Sequence, residues 1–163
     1  MKSLLIVHHS LTGGARQMAQ AAARGAAGEP AVETRLLTAA EAGPDDLLAA
    51  SGYLFACPEN LAAVAGVMKA FFDRSYYPVL DRIGGRPYGL MICAGSDGTN
   101  AVRQVARIAA GWRLRAVAEP IIVCTHAQTP EAILAPKTLS AAQLEPCETL
   151  GATLAAGLAL GVF

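Results

Sequence analysis

The residues best equipped for chemistry form the stretch Ser10-Leu11-Thr12-Gly13-Gly14-Ala15. It lies between the apolar run Leu4–Val7 and a segment with helical spacing. Two hydroxyls and two glycines with no acid among them suit an anion. A helix N-terminus presents unpaired backbone N–H groups and the positive end of the helix dipole. Hydroxyls add donors, and glycine lets the backbone approach closely. The lysine of a Walker A loop and the G-x-G-x-x-G dinucleotide fingerprint are both missing, which argues against a nucleoside triphosphate with magnesium and against a dinucleotide. The competing reading is a tight βα turn. Arg16 is placed to neutralise a phosphate or simply to be solvated. His8 and His9 adjoin the stretch and point to opposite faces if the strand continues, so at most one reaches a ligand. A structural role is expected for both.

Two further stretches could complete a site. Pro58-Glu59-Asn60-Leu61-Ala62-Ala63-Val64-Ala65-Gly66 begins polar and becomes small and apolar, as a wall against a flat hydrophobic ligand would. Its plainer reading is a connection whose proline stops a strand. In Ala94-Gly95-Ser96-Asp97-Gly98, glycines flank polar residues, so backbone N–H groups could approach a ring edge. The same stretch nearly matches the G-x-S-x-G nucleophile elbow, with Ala94 in the place of the first Gly. His126 follows in the correct chain order to act as base, but no acid is assigned. A serine hydrolase using Ser96 and His126 is therefore the rival from another class. Cys57, Cys93 and Cys124 fall near the ends of apolar runs. A redox or metal cluster is conceivable there, but buried free cysteines acting as small hydrophobes are the expectation.

These stretches must be held by a scaffold, and the rest of the chain supplies one. Continuous apolar runs at Leu4–Val7, Tyr53–Cys57, Tyr88–Ala94 and Ile121–Cys124 suit strands buried on both faces. Val32–Leu37 alternates and is expected at a sheet edge. Helices are expected over Gly14–Gly25, from Pro44, over Gly66–Ser75, over Asn100–Gly111 with Asp97 or Thr99 as cap, and from about Cys147 to Leu160. No structure is assigned to Thr125–Pro146. The alternation of strands and helices predicts one α/β domain over 1–163, with a five-stranded parallel sheet of order 2-1-3-4-5 and helices on both faces. Ligands in such sheets bind where the order reverses, between strands one and three. A receiver domain shares the order, but Cys57 stands where its phosphorylatable Asp belongs.

Composition bounds the function. Thirteen basic residues balance thirteen acidic ones, so no electrostatic footprint for nucleic acid exists. The apolar tail 151–163 is shorter than the ~20 residues of a membrane helix. The N-terminal apolar run is too short for a signal-peptide core. The four cysteines include no close pair, and a cytoplasmic location with reduced thiols is expected.

Taken together, these stretches resemble a known family. Ser10-Leu11-Thr12-Gly13 before a helix is similar to the phosphate loop of the flavodoxin family. Cys57-Pro58-Glu59-Asn60-Leu61, Gly66-Val67-Met68-Lys69-Ala70-Phe71-Phe72-Asp73-Arg74 and Ala94-Gly95-Ser96-Asp97-Gly98 resemble the flavodoxin-like NAD(P)H-dependent FMN reductases and quinone oxidoreductases. The resemblance covers roughly residues 2–125. It implies a flavodoxin-like three-layer sandwich that binds FMN. Ser10, Thr12, Gly13, Gly14 and Ala15 would hold the phosphate. Pro58, Glu59, Asn60 and Leu61 would flank the ring, with Gly95, Ser96, Asp97 and Gly98 at its pyrimidine side. No side chain is expected to act as catalyst, because the cofactor carries the hydride. Ala15 departs from the family pattern, which has Thr there, and costs one phosphate contact. The implied function is FMN-dependent reduction of a quinone, a free flavin or a similar small acceptor by NADPH or NADH. The alternative is a non-enzymatic electron carrier of the flavodoxin type. Carriers resemble one another in being acidic, and this chain is neutral. The expected partner is a small-molecule acceptor, with neither nucleic acid nor membrane, and a homodimer or homotetramer is left open. Trp112 is expected in the core. Tyr76 and Tyr77 stay open between shielding a flavin and forming a subunit contact.

Overall fold

A computed structural model describes all 163 residues. The strands of the main sheet are β1 (Lys2–His8), β2 (Val32–Thr38), β3 (Gly52–Asn60), β5 (Pro87–Ala94), β6 (Arg115–Ala116) and β7 (Ile121–Cys124). Their order is β2-β1-β3-β5, with β6 and β7 both pairing β5, and every one of these pairings is parallel. β6 and β7 are two pieces of one fifth strand. Arg115 and Ala116 pair with Pro87 and Tyr88, and Ile121–Cys124 pair with Met91–Ala94. The expected order 2-1-3-4-5 therefore holds, with its last strand broken between Val117 and Pro120.

The apolar runs behave as their composition demands. Leu4, Leu5, Ile6 and Val7 are fully buried, and all eight residues of β5 are buried. The alternating β2 is only partly covered along its length and forms the edge. One core layer lies under α2 (Pro44–Ala49), α3 (Gly66–Val79) and α4 (Thr99–Gly111), where Phe55, Phe71, Phe72 and Trp112 meet. Trp112 is buried as expected, stacks on Tyr76 and donates its indole N–H to the Tyr76 carbonyl at 3.0 Å. The other layer lies under α1 (Gly14–Ala26) and α6 (Ala141–Leu160). These two helices interlock backbone to backbone. A Cβ on Gly25 would overlap the Glu148 carbonyl, and one on Gly151 would overlap the Ala22 carbonyl.

Several boundaries differ from expectation. β3 does not stop at Pro58, which pairs with Cys93 in the ladder. The strand continues to Asn60 and turns back antiparallel into β4 (Ala63–Val64), so the second loop is a hairpin. α6 begins six residues early because Ser140 and Gln143 form a reciprocal capping box. Pro146 is tolerated on its exposed face. Residues 125–146, unassigned from sequence, contain the short helix α5 (Pro130–Leu134) and the first turns of α6.

Candidate active site at the strand ends

Four segments meet at the C-terminal edge of the sheet. Three are those expected: the loop into α1, the hairpin after β3 and the loop into α4. The fourth, residues 125–139, carries only His126 among the residues singled out in the sequence. A cleft of about 70 Å³ between them is lined by Thr12, Pro58, Asn60, Gly95, Ile133 and Lys137, among others. A larger hollow of about 470 Å³ lies between Lys2, Arg86 and Phe163. α2 and α6 end there, and helix C-termini present carbonyls rather than anion donors.

The first loop has the features that an anion cradle needs. Gly13 takes the left-handed conformation (φ 100°) that a side chain would strain. Gly14 is required by packing, since a Cβ there would come within 2.5 Å of Cys93 Sγ. Ser10 Oγ accepts the Gly13 N–H at 3.0 Å and tightens the turn. α1 has no side-chain cap and no acid in its first turn. The N–H groups of Gly14, Ala15 and Arg16 find no acceptor in the chain, although Gly14 and Ala15 are buried. Buried backbone donors are almost always paired, so the two buried N–H groups of Gly14 and Ala15 suit an acceptor from outside the chain, and the exposed Arg16 N–H lies beside them. The Thr12 hydroxyl is uncommitted and faces the cleft residues. The Ala15 methyl belongs to the core layer under α1, so only its N–H can serve the loop. Arg16 forms no ion pair, and its guanidinium folds back to 3.1 Å from a Cβ position on Gly13.

The histidines beside this loop are not free bases. Burial and the nearby Arg16 charge hold His8 below its usual pKa, and burial lowers His9. His8 Nδ1 is buried without a hydrogen-bond partner.

The second and third segments are locked together by Glu59. Its two carboxylate oxygens accept the Gly98 N–H at 2.9 Å and the Ala101 N–H at 3.0 Å. Glu59 thus caps α4 from another element, where Asp97 or Thr99 was expected to do so. Asp97 contributes a single bond from the Thr99 N–H at 3.2 Å. Asn100 Nδ2 donates to the Ala62 carbonyl and Gln104 Oε1 accepts the Val64 N–H, which fastens the hairpin to α4. Leu61 and Ala62 turn the hairpin with positive φ, leaving the Leu61 side chain fully exposed. Gly98 (φ 92°) could not carry a side chain without meeting Ile122. The N–H groups of Gly95, Ser96 and Asp97 have no partner in the chain and face a ligand or water.

The structure brings together Thr12, Pro58, Glu59, Asn60 and Gly95 around the cleft, with Ser10, Gly13, Gly14 and Ala15 behind Thr12. Leu61, Ser96, Asp97 and Gly98 sit in the same loops but outside the cleft lining. Ser96 and His126 share no hydrogen bond, both are exposed, and no carboxylate orients the histidine, so no hydrolytic triad is assembled. The cysteines form no metal-binding group. Burial pushes Cys57 up to about 12 and Cys147 up to about 11, which makes them inert hydrophobes. Tyr76 belongs to the Trp112 cluster and Tyr77 is exposed on α3, and neither lines the cleft. Sequence reasoning missed Gln17, Thr125, Ala127, Ile133 and Lys137, whose roles depend on contacts between distant segments.

This architecture recurs in known proteins. An archaeal flavodoxin superposes with a TM-score of 0.77 at 16% identity, covering 96% of this chain and 98% of that one. A WrbA-like flavodoxin from Agrobacterium tumefaciens gives 0.69 at 18% identity and covers 99% of both chains. At these identities the likeness speaks for the flavodoxin-like fold alone. In sequence, a flavodoxin from Aquifex aeolicus (strain VF5) is 34% identical over 97 residues, which is 60% of this chain. The match spans 50% of that relative's length. The sequence profile described as NADPH-dependent FMN reductase matches residues 39–129, more than half of the chain. The chain belongs to the NADPH-dependent FMN reductase family.

Proposed function

We propose that the chain binds FMN at the strand ends and uses NADPH or NADH to reduce a small acceptor such as a quinone or a free flavin. The observation that carries this reading is the open N-terminus of α1, three unpaired N–H groups beside an uncommitted threonine hydroxyl, in a chain of an FMN reductase family. The residues fit the cofactor. The first loop offers donors and no acid for a phosphate, Gly13 supplies its left-handed turn, and Arg16 supplies a positive charge. FMN would supply the hydride chemistry. The chain's own part is to bind and orient. Thr12 and the α1 N–H groups would fix the phosphate. Pro58 and Asn60 would wall one side of the ring on a hairpin that Glu59 holds rigid. The free N–H groups of Gly95, Ser96 and Asp97 would donate to ring acceptors. No side chain here needs to move a proton on its own account.

A carrier role is the second reading, favoured by the likeness to flavodoxins. Balanced charge gives no net field to steer this chain onto a charged protein partner. Mixing the FMN-loaded protein with NADPH or NADH separates the readings. Bleaching of the flavin within minutes and reoxidation by a quinone mark the reductase. Bleaching only when a dedicated protein reductase is added marks the carrier.

The cradle itself is tested by Thr12→Val, which removes a donor and nearly keeps the shape. A hydrogen bond to a charged group contributes roughly 1.5–3 kcal/mol, so FMN should bind about 10- to 150-fold more weakly. Riboflavin, which lacks the phosphate, should bind as before. Equal losses for both ligands would make the loop a structural turn.

A further inference from the structure

Residues 125–139 leave β7, pass in front of the cleft and enter α6. They are fastened at two ends. At one, the Thr125 N–H and Oγ1 both donate to the Ala94 carbonyl, at 2.9 and 3.4 Å. At the other, the Lys137 N–H donates to the Thr12 carbonyl at 2.8 Å. Beside that bond the Gln17 amide uses both of its donors and its oxygen. Its Nε2 donates to the Gly13 carbonyl at 2.9 Å and to the Lys137 carbonyl at 2.7 Å, and its Oε1 accepts the Leu139 N–H at 3.0 Å.

Between these fastenings the segment is tied to itself rather than to the core. Lys137 Nζ gathers the carbonyls of Ala132, Ile133 and Ala135. Thr129 Oγ1 caps α5. α5 buries no residue, and Ile133 and Leu134 are 49% and 66% exposed. A stretch with so little buried surface opens at low cost. Yet Ile133 and Lys137 line the cleft together with Pro58 and Asn60, and its volume is only about 70 Å³. Cofactor-sized pockets run to roughly 300–1,000 Å³. A three-ring flavin passes only if this segment lifts.

We propose that residues 126–137 are a hinged strap over the flavin site and that Gln17 is its latch. The inference rests on the FMN reading above. Gln17 is a positioning residue, because it acts through the Gly13 carbonyl and the strap and needs no contact with the ring. The Gln17 bonds hold the base of the strap at Lys137 and Leu139 rather than α5, so they would re-form once the ring has displaced α5, and the latch sets how fast FMN enters and leaves more than how tightly it is held. Three hydrogen bonds from one amide also tie the strap to the phosphate loop, so lifting the one loosens the other.

The test is Gln17→Leu, which keeps a helix-forming side chain of similar size and removes all three bonds. Stopped-flow flavin fluorescence should show association and dissociation both faster by about tenfold or more, with Kd within about threefold of the unaltered protein. Unchanged rates would overturn the strap. Amide hydrogen exchange supplies a readout that needs no flavin. In the variant, exchange at Lys137 and Leu139 should rise at least about tenfold, while amides in α4 stay as they were. If exchange at those two amides does not change, the latch does not exist. If the unaltered protein takes no FMN at high micromolar concentration, the FMN reading fails, and the exchange experiment still decides the latch. Should Gln17→Leu fold poorly, exchange in the unaltered protein decides: Lys137 and Leu139 should be protected well beyond the exposed, unpaired amides of Gln128 and Glu131, and equal exchange would overturn the proposal.

Discussion

α1 and α4 enter the ligand edge of the sheet by the same route and are finished in opposite ways. Each follows a buried strand, and each begins at a glycine in nearly the same left-handed conformation, Gly13 at φ 100°, ψ −12° and Gly98 at φ 92°, ψ −14°. Neither has a side-chain cap from its own N-cap residue. At α4 the need is met from within, by both oxygens of Glu59. At α1 no acidic group of the chain answers, and the donors stay open. A protein that caps one such helix with a carboxylate and leaves its neighbour bare keeps the second open to an anion from outside, as the proposed FMN phosphate would be. On the FMN reading the pair would divide the labour of the site: the closed end would stiffen the ring wall, and the open end would bind the phosphate.

Turning the open end into a closed one should have the largest effect. Thr12→Asp places a carboxylate where the phosphate is proposed to lie. Two like charges about 4 Å apart at an effective dielectric near 20 repel by about 4 kcal/mol. FMN affinity, read by fluorescence quenching, should fall about a thousandfold or more, with thermal stability kept or slightly raised. Retained FMN binding would show that α1 is not the anion site.

Opening the closed end comes next. Glu59→Ala strips the cap from α4 and leaves two N–H groups unpaired, which costs about 2–3 kcal/mol. For a chain of this length that lowers Tm by about 4–10 °C. Calorimetry should show this loss with and without FMN, since the defect lies in the scaffold. A shift below 1 °C would mean that water caps α4 as well as Glu59 does.

The smallest effect is one of pH, because burial holds His8 and His9 beside α1 below their usual pKa. Folding lowers the pKa of His8, so the unfolded chain binds the proton more readily. The stability associated with neutral His8 is present above its unfolded pKa of about 6.5. It is lost as pH falls below that value toward the lower folded pKa. The urea midpoint should therefore drop between pH 7.5 and 5.5, and His8→Asn should flatten that slope. An anion near Arg16 offsets part of the charge that depresses His8, so the slope should be shallower with FMN bound. An identical slope in His8→Asn would assign the effect elsewhere.

The sequence showed the open end more clearly than the closed one. Ser10 to Ala15 is contiguous, so its hydroxyls, glycines and missing acids could be read together, and the helix after it begins at Gly14 as expected. The buried strands were legible because an apolar run covered on both faces has no polar alternation, and β2 betrayed its edge by having one. Glu59 was read as a ring neighbour because nothing local reveals that its carboxylate reaches Gly98 and Ala101, some forty residues on. Pro58 looked like a strand terminator, yet a strand can pass through a proline whose N–H the ladder does not use. The strap escaped notice for a related reason. Its sequence is exposed and irregular, and its meaning lies in Gln17, one polar residue on a helix that has no other distinguishing mark.

The interlocked glycines of α1 and α6 carry a consequence for how the molecule is made. Gly25 and Gly151 let the two helices lie backbone against backbone, so α6 braces the helix that grows out of the phosphate loop. Yet α6 is the last element in chain order, and α1 is the first helix to be synthesised. A nascent chain that has emerged only as far as β7 holds every residue of the loop and none of its brace. On the FMN reading, capture of the cofactor would wait until α6 has docked on α1.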